Sequence, residues 1–488
     1  MKNTRRLYWK NTVGLTAASF GHCIFISLTS MALPMFFTDV MYINPASVSA
    51  IFLVARIWDA VNDPIMGMVV DRTKTKWGKC RPYLMYAAFP LLLFTILMFS
   101  PFEAASETGR FIYALITYIL FITSFTMLDI PLAGLKPLLY TEPDDRNKAM
   151  SFSSTFGSLG SLFAVDLFFI MVVLFGNGNN KKGYFITVLI LSLLAFVMLQ
   201  IGFFTTREVI PVDKNQTAFF KKLLTVLKNK PLMLIIFVQL CSIGTSAYGI
   251  LLPYFSKWNL ADSFSFGRFS VESILIPALS TATGIVYMIA VMITPYLLKF
   301  GSKKKVFLIM SALGFALNIA SLLIGYSNLI LFICIRVLAH IPPTITATLS
   351  SYMVMDCLDY AEYETGERTE GSTFAVNNLI MKIGNALFSS LIMLILGIVG
   401  YNAAINEPAL RIGEHIQHNY PEMLNGIFTL MTGGPALGCM LQIIPMAFYK
   451  LTDQKVSDMI SELKVRRVQL KTEGEGESVC LEAEGGHQ

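Results

Sequence analysis

The chain has 488 residues, of which 54% are hydrophobic and 14% charged, and its mean hydropathy is +0.60. In a soluble globular protein about a quarter of the residues are charged. This composition excludes soluble enzymes, nucleic-acid-binding proteins and disulfide-rich secreted domains, and it predicts a polytopic protein of the lipid bilayer. The net charge of +6 lies in short loops, where it orients a membrane chain.

Twelve apolar runs long enough to cross a bilayer follow one another along the chain. We predict helices at 12–40, 45–70, 82–101, 110–139, 150–176, 184–205, 231–256, 268–298, 304–325, 327–358, 372–400 and 422–450. Lys and Arg cluster in alternate connections, which predicts that both termini are cytoplasmic. No cleavable signal peptide is expected, because the first apolar run is too long for one.

The longest polar interruption, at 206–230, divides the chain into an N-terminal six-helix bundle (1–205) and a C-terminal six-helix bundle (231–450). The predicted fold is therefore all-α, with twelve transmembrane helices in two bundles, as in many secondary transporters. The interruption is predicted to be a cytoplasmic middle loop. The cytoplasmic tail at 451–488 is predicted to end in disorder, because its last residues are too polar to order themselves.

The predicted second helix carries charges where lipid is expected. Arg56, Asp59 and Asp63 are three, four and seven residues apart and share one helical face, with Asn62 beside them. Three charges facing lipid would cost about 8 to 10 kcal/mol, so they face a wet or paired interior. Two carboxylates one turn apart repel each other unless one is protonated or a cation such as Na+ lies between them. We predict a cation site at Asp59 and Asp63; the alternative is an Arg56–Asp59 pair that only fixes helix packing.

Other predicted helices also carry polar side chains. Thr126 and Asp129 share a face of the fourth helix, where Thr126 would complete the cation shell and Asp129 would accept hydrogen bonds from a hydroxylated solute. The alternative is that Asp129 only links two helices. Lys382 lies too deep in the eleventh helix to reach an interface, so we expect it to pair with one of the three aspartates. His22 either lines a cavity or is a hydrogen-bonded packing residue.

An acidic segment, 356–371, is predicted as a loop after the tenth helix. One interpretation is a solvated loop. The other is a gate, in which these acids pair in one state with basic residues of the first half, such as Arg146 or those of 72–81.

Five motifs carry a resemblance to a known family, namely LVARIWDAVNDPIMG, FTMLDIP, WGKCRP, DYAEY and MKIGNALFSSLIMLILGIVGY. Together they resemble the glycoside-pentoside-hexuronide:cation symporters, the melibiose permease family of the major facilitator superfamily, over about residues 8–450. The resemblance implies a twelve-helix carrier of the plasma or bacterial inner membrane that works by alternating access. It also implies a glycoside, pentoside or hexuronide as solute, Na+, Li+ or H+ as coupling ion, and no cofactor.

The resemblance implies roles for individual residues. The family's cation site falls on Asp59, Asn62, Asp63 and Thr126, a sugar-binding carboxylate on Asp129, and the lysine of helix eleven on Lys382. Residues that resemble the family's gates and charge network are Asp39, Arg56, Arg146, Asp359, Glu362 and Arg368.

Three positions depart from the family pattern in its sugar-binding half. Cys23 stands where the melibiose permeases have an aspartate, Ala133 where they have a stacking tryptophan, and Ser154 where they have an arginine. The lost carboxylate would have oriented a sugar ring through two hydrogen bonds, so a galactoside is disfavoured. Loss of that negative charge near His22 favours an anionic solute instead.

We interpret the chain as a symporter, working as a monomer, that couples a sugar or sugar-derived solute to a monovalent cation. It is not expected to be an enzyme, because the sequence offers no nucleophile–base pair or metal cluster. Alternatives with the same fold are carriers of a uronate, a sulfonated sugar or a lysolipid. An alternative of another class is a non-transporting membrane sensor.

Overall fold

The structure is a computed structural model that describes residues 2–102, 106–140, 143–209, 228–260, 271–365, 370–402 and 420–463. The regular secondary structure of these residues is helical, apart from an isolated β-bridge between Thr75 and Gly78. The predicted all-α class is confirmed. Most of the predicted middle loop and the end of the tail lie outside the described residues.

The first half of the chain forms six long helices. Helix α1 runs from Lys2–Ser27 through Leu33–Met35 to Phe36–Val40, with π-helical turns at Leu28–Ala32 and Phe36–Val40. The others are α2 (Pro45–Arg72), α3 (Arg81–Met98), α4 (Glu107–Leu138), α5 (Pro143–Gly176) and α6 (Asn180–Thr205). Asn44, Ser106 and Asn179 cap the first turns of α2, α4 and α6, each with a side-chain oxygen that accepts a backbone N–H.

The second half forms α7 (Lys230–Asn259), α8 (Val271–Leu297), α9 (Lys303–Ile324), α10 (Leu329–Ala339 and Ile341–Thr365), α11 (Glu370–Ile398) and α12 (Pro421–Leu441 and Ile443–Ala447). Within the described ranges, 11 helices are long and apolar enough to cross a membrane. Helix α2 is not among them, and it is the helix that carries Arg56, Asp59 and Asp63. The count of twelve crossings therefore stays a prediction.

Helices of the same half pack mainly on one another. Helix α1 lies against α5 and α6, α2 against α4, and α9 against α10 and α12. The two halves meet where α2 packs on α11 and α5 packs on α8. Glycine permits some of the closest approaches inside the first half, since a Cβ on Gly21 would lie 2.6 Å from the carbonyl oxygen of Ala195. This packing accords with the proposed division into two bundles.

The bundle has two ends, which we name by their connections. The tail end carries residues 73–80 and 299–302, and the distal end carries residues 41–44, 177–179 and 325–328. Successive helices run between the two ends in alternate directions. Both the first and the last described residues lie at the tail end.

Two helical segments at the tail end were not predicted. Helix α10 continues to Thr365 instead of ending at 358, so Asp359 is helical and not part of a loop. Beyond α12, residues 453–463 form a further helix. Its apolar residues Val456, Met459 and Leu463 recur at helical spacing and are buried, and Val456 and Met459 pack in a cluster with residues of the second half. That spacing was present in the sequence, but the polar composition of the tail concealed it.

Candidate functional site

The charged face of α2 points to α11. Asp59 is 6% exposed and Asn62 is 8% exposed, so both side chains are withdrawn from the surface. Arg56 Nη1 lies 3.8 Å from Asp59 Oδ2, so the two residues of the predicted pair are within ion-pair distance. The pair does not account for the whole face, because Asp63 is engaged from the opposite half of the molecule.

Lys382 of α11 is at the centre of the site. Its Nζ donates a hydrogen bond to Asp63 Oδ2 at 2.7 Å and lies 3.6 Å from Asp59 Oδ2 and 3.8 Å from Asp129 Oδ2. We call these four residues the acid cluster. They come from α2, α4 and α11, so the cluster joins the two halves. This is the pairing that the depth of Lys382 in an apolar helix predicted.

The acid cluster has a surplus of negative charge. Its three carboxylates face the ammonium of Lys382 and the guanidinium of Arg56, which leaves one negative charge when His22 is neutral. A single uncompensated charge inside a membrane protein is costly, because the surroundings solvate it poorly. One monovalent cation would neutralise the cluster.

Oxygen atoms around Asp59 and Asp63 suit a small hard cation. Thr126 Oγ1 donates a hydrogen bond to Asp59 Oδ1 at 3.1 Å. Asp63 Oδ1 and Asn62 Nδ2 are buried and have no hydrogen-bond partner among the described residues. An unsatisfied buried acceptor costs roughly 1–3 kcal/mol, so a cation bound at Asp63 Oδ1 would relieve that cost. Asn62 Nδ2 is a donor, and it is the side-chain oxygen of Asn62 that could face a cation. These residues therefore fit Na+ or Li+, which prefer carboxylate and hydroxyl oxygens.

The site differs from a typical transition-metal site. Among the residues that the structure describes, no group of three or more His, Cys, Asp or Glu side chains could hold a metal ion. Asp59 and Asp63 would hold a cation as a pair, with Thr126 beside them. Such a small ligand set suits an ion that is bound and released in each transport cycle.

His22 lies beside the acid cluster on α1. Its Nε2 is 3.0 Å from Asp129 Oδ1, and its ring stacks on Phe125 with the ring centroids 4.9 Å apart. His22 therefore positions Asp129, while Asp129 remains 31% exposed and accessible to a solute.

The three positions that depart from the family pattern have different surroundings. Cys23 is half-buried beside α5, where a Cβ placed on Gly157 would lie 3.1 Å from the Cys23 sulfur. Ala133 on α4 and Ser154 on α5 are exposed. Among the described residues, no hydrogen bond or ion pair joins these three side chains to the acid cluster, and their proposed role in solute binding stays a prediction.

A second polar cluster closes the distal end. Buried Asp39 accepts hydrogen bonds from Lys257 Nζ at 2.6 Å and from Tyr401 Oη. Tyr254 Oη lies 3.1 Å from Thr38 Oγ1. We call Asp39, Lys257, Tyr254 and Tyr401 the distal lock. It ties the end of α1 to the second half of the chain.

Sequence reasoning found only one member of the distal lock. The family resemblance indicated Asp39, whereas the sequence analysis did not single out Lys257, Tyr254 or Tyr401. The signal in the sequence was the spacing of Tyr254 and Lys257, which lie one turn apart near the end of α7.

The proposed gate residues at the tail end are only partly described. Asp359 and Glu362 lie on α10 and are half-buried, whereas the side chains of Arg146 and Arg368 lie outside the described residues. Among the described residues, the ion pair of Asp356 is with the second half. Its carboxylate is 2.6 Å from Lys303 Nζ, within the second half, because the extended α10 holds it beside the start of α9.

A cavity of about 710 Å³ lies between the two halves. Pockets that bind small molecules span ~300–1,000 Å³, so a mono- or disaccharide would fit. Its wall includes Ser30 and Ser161 from the first half and Tyr248, His340 and Asn385 from the second. Arg56 lines it too, which places the acid cluster beside the cavity.

The sequence pattern of the family described as "MFS/sugar transport protein" matches residues 14–453. The chain belongs to this family. It is 27% identical to the isoprimeverose transporter of Lactiplantibacillus pentosus over 94% of this chain and 92% of that protein. It is 27% identical to the putative glycoside/cation symporter YagG of Escherichia coli K12 over 89% and 90%.

The fold of this transporter is also found in solved structures. A bacterial homologue of the human lysosomal transporter Spinster superposes with a TM-score of 0.65 over 93% of this chain and 98% of that chain, at 14% identity. The resemblance drawn from the five motifs is confirmed, and so is the major facilitator fold. The chain is a membrane transporter and not an enzyme. It needs no cofactor, since a coupling ion is carried as a substrate.

Proposed function

We propose that this transporter is a symporter that couples the movement of a sugar or sugar-derived solute to a monovalent cation. One observation carries the proposal: the single ammonium of Lys382 lies within 3.8 Å of three carboxylates drawn from two other helices. The relatives described as an isoprimeverose transporter and a putative glycoside/cation symporter support the sugar and the coupling ion.

The coupling ion would bind at Asp59 and Asp63, with Thr126 and Asn62 completing the shell. Na+ and Li+ fit the oxygen ligands, and H+ would satisfy the same charge by protonating one carboxylate. In either case the ion removes the surplus negative charge. The carrier would work as a monomer, since one chain supplies every member of the acid cluster.

Lys382 would couple the ion to the solute. A cation between Asp59 and Asp63 competes with Lys382 for Asp63 Oδ2, which now accepts its hydrogen bond at 2.7 Å. The released ammonium then turns to Asp129, 3.8 Å away, and to the solute. Asp129 and His22 would bind solute hydroxyl groups. Linkage requires that the solute tighten ion binding by the factor by which the ion tightens solute binding.

The distal lock would define one state of an alternating-access cycle. Asp39, Lys257 and Tyr401 hold the halves together at the distal end. With both termini in the cytoplasm of a plasma or bacterial inner membrane, the state that this lock closes would be the inward-facing one. In the outward-facing state, Asp359 and Glu362 would pair with the first half, with Arg146 and Arg368 in the same network.

Uphill transport separates this proposal from its rivals. A lysolipid carrier would move amphiphiles and not sugars in the same assay. A non-transporting sensor would bind a ligand without accumulating it.

The test uses the purified full chain in liposomes with an inward Na+, Li+ or H+ gradient and a panel of radiolabelled glycosides. We expect the wild type to concentrate at least one sugar under one of these gradients. The variant Asp63→Asn should lose accumulation and bind the ion about 10- to 100-fold more weakly, because one of two paired carboxylates is gone. The control Asp458→Asn removes an exposed carboxylate from the tail helix and should transport normally. Undiminished uphill transport by Asp63→Asn would contradict the cation assignment.

A further inference from the structure

A second intramembrane charge, Arg336 of α10, has no acidic partner. Its side chain is 2% exposed, and Nη1 donates a hydrogen bond to Asn318 Oδ1 at 2.6 Å. The guanidinium lies 4.5 Å from the centre of the Tyr248 ring. No carboxylate among the described residues is within ion-pair distance, and Arg336 Nε has no hydrogen-bond partner there. A buried charge of this kind is expensive and commonly marks a functional site.

The neighbours of Arg336 are also unsatisfied. Tyr248 Oη and His340 Nε2 are buried without a hydrogen-bond partner among the described residues, and the two rings are 4.7 Å apart. More than nine in ten buried polar groups are normally paired. Tyr248 Oη, His340 Nε2 and Arg336 Nε are thus three unpaired polar atoms in one cluster. A hydrogen-bond acceptor on a bound solute would explain why they have no partner within the protein.

This cluster lies at the wall of the large cavity. Tyr248 and His340 both line it, while Arg336 lies behind the Tyr248 ring. The cavity wall on this side is built from interrupted helices. Helix α7 contains a 3₁₀ turn at Ile243–Ser246, and α10 is interrupted at His340. Interrupted membrane helices are where carriers commonly place polar groups against a solute.

We propose that Arg336, Tyr248 and His340, the arginine cluster, form a subsite for an anionic oxygen group of the solute, a carboxylate or a sulfonate. Tyr248 Oη and His340 Nε2 would donate hydrogen bonds to the anion, and Arg336 would supply the compensating charge through the Tyr248 ring. Hydroxyl groups of Ser30 and Ser161 on the first-half wall face the rest of a sugar. The proposal rests on the proposed transport function and narrows its solute class.

Charge also orders the two binding events. When His22 is neutral, the acid cluster and Arg56 together carry one surplus negative charge, and Arg56 also lines the cavity. An anionic solute would then be repelled until a cation neutralises Asp59 and Asp63. The cation therefore binds first, and the arginine cluster then holds the anionic end of the solute away from Asp129.

The test is direct binding to the purified full chain in nanodiscs, at saturating coupling ion. The probes are methyl glucoside and methyl galactoside, their C6 carboxylates (methyl uronides) and their C6 sulfonates. We expect at least one anionic probe to bind about 10-fold or more tightly than its neutral counterpart, as charge-assisted hydrogen bonds would provide. Comparison of the carboxylate and sulfonate arms identifies which anion the subsite prefers.

Two conservative variants test the assignment without removing the buried charge. Tyr248→Phe keeps the aromatic ring over Arg336 and deletes the hydroxyl. His340→Gln replaces the imidazole by an amide whose N–H donor lies at a different position. Each should weaken binding of the anionic probe about 10-fold and change binding of the neutral sugar less than twofold. The control Tyr113→Phe deletes a hydroxyl that donates to Leu97 O near the distal end and should change neither. Arg336→Gln should abolish the preference for anions.

The possible outcomes separate the two proposals. Binding of neutral and anionic sugars with equal affinity overturns the subsite and leaves sugar symport standing. Anion preference that survives Tyr248→Phe and His340→Gln also overturns the subsite. No saturable binding of any sugar probe overturns both proposals.

Discussion

At the scale of single residues, Lys382 determines how charge is shared in the middle of the molecule. Its ammonium hydrogen-bonds to Asp63 and lies within ion-pair distance of Asp59 and Asp129. No position of one ammonium can compensate three carboxylates at once. Lys382 therefore acts as an internal cation that an incoming ion partly displaces. Removal of Lys382 should destabilise the carrier most when no ion is bound.

We predict that Lys382→Met destabilises the ion-free carrier by about 3–5 kcal/mol, because buried carboxylates lose their partner. Saturating Na+ or Li+ should restore more of the melting temperature of Lys382→Met than of the wild type, since the ion now replaces the missing charge. Thermal unfolding across an ion titration measures this difference. The control Lys148→Met removes an exposed ammonium. An equal ion-induced shift in Lys382→Met and the wild type would contradict the displacement mechanism.

The residues of the site could be predicted to different extents. Asp59, Asp63, Thr126 and Asp129 stand out because a charge or hydroxyl in an apolar helix is conspicuous and helical spacing fixes its face. Their partners could be predicted only in part, since Lys382 was expected to pair with one of three aspartates and no partner was predicted for Asp39. Lys382 and Asp63 are 319 positions apart, and Tyr401 and Asp39 are 362 apart, so only the folded packing brings them together. Arg336 was overlooked altogether, although it too is a charge inside an apolar run.

At the scale of helices, the distal lock shows how few contacts hold one state. It concentrates a buried ion pair and two tyrosines at the ends of α1, α7 and α11. Most other helix boundaries followed from hydropathy and capping to within a few residues, but α1 and α5 begin at Lys2 and Pro143 and not at 12 and 150. At the end of α10 and in the helix at 453–463, a charged sequence is helical because neighbouring helices supply the apolar contacts.

Loss of the lock should shift the carrier toward the outward-facing state. The variant Lys257→Met leaves Asp39 buried without its cation, at a cost of roughly 3–5 kcal/mol to the locked state. Ser30→Cys in the cavity wall should then react about 10-fold or more faster with an impermeant maleimide added from outside to right-side-out vesicles. The rate in the otherwise wild-type Ser30→Cys background is the reference. In a double-mutant cycle, adding Asp39→Asn should cost less than the sum of the single changes. Unchanged labelling would show that the lock does not close the distal end.

At the scale of the whole molecule, the acid cluster and the arginine cluster place opposite charges in the two halves, and the cavity contacts Arg56 on one side and Tyr248 and His340 on the other. The first half contributes most of the carboxylates, and the second half contributes Arg336 without a counter-ion. A monovalent cation and a monoanionic solute together bring no net charge to the carrier. A neutral solute carried with the same cation brings one positive charge.

This difference predicts the electrical behaviour of transport. Proteoliposomes on a solid-supported membrane should give a transient current when a transported neutral sugar is added with the coupling ion. A transported monoanionic uronide or sulfonate should give flux with little or no current at a stoichiometry of one ion per solute. Tracer uptake measured in parallel supplies the flux. Equal current per transported molecule for neutral and anionic solutes would exclude one-to-one coupling.

The charges on α2 bear on how the topology of this protein is mapped. An odd number of crossings puts the two ends of a chain on opposite faces of a bilayer, and the 11 sufficiently apolar helices of the described ranges give an odd number. The number of crossings becomes even only if α2, despite Arg56, Asp59 and Asp63, is inserted in the bilayer with the other helices. Reporter fusions before α1 and after α12 would then report the same compartment, and a hydropathy threshold alone would orient every segment after α2 backwards.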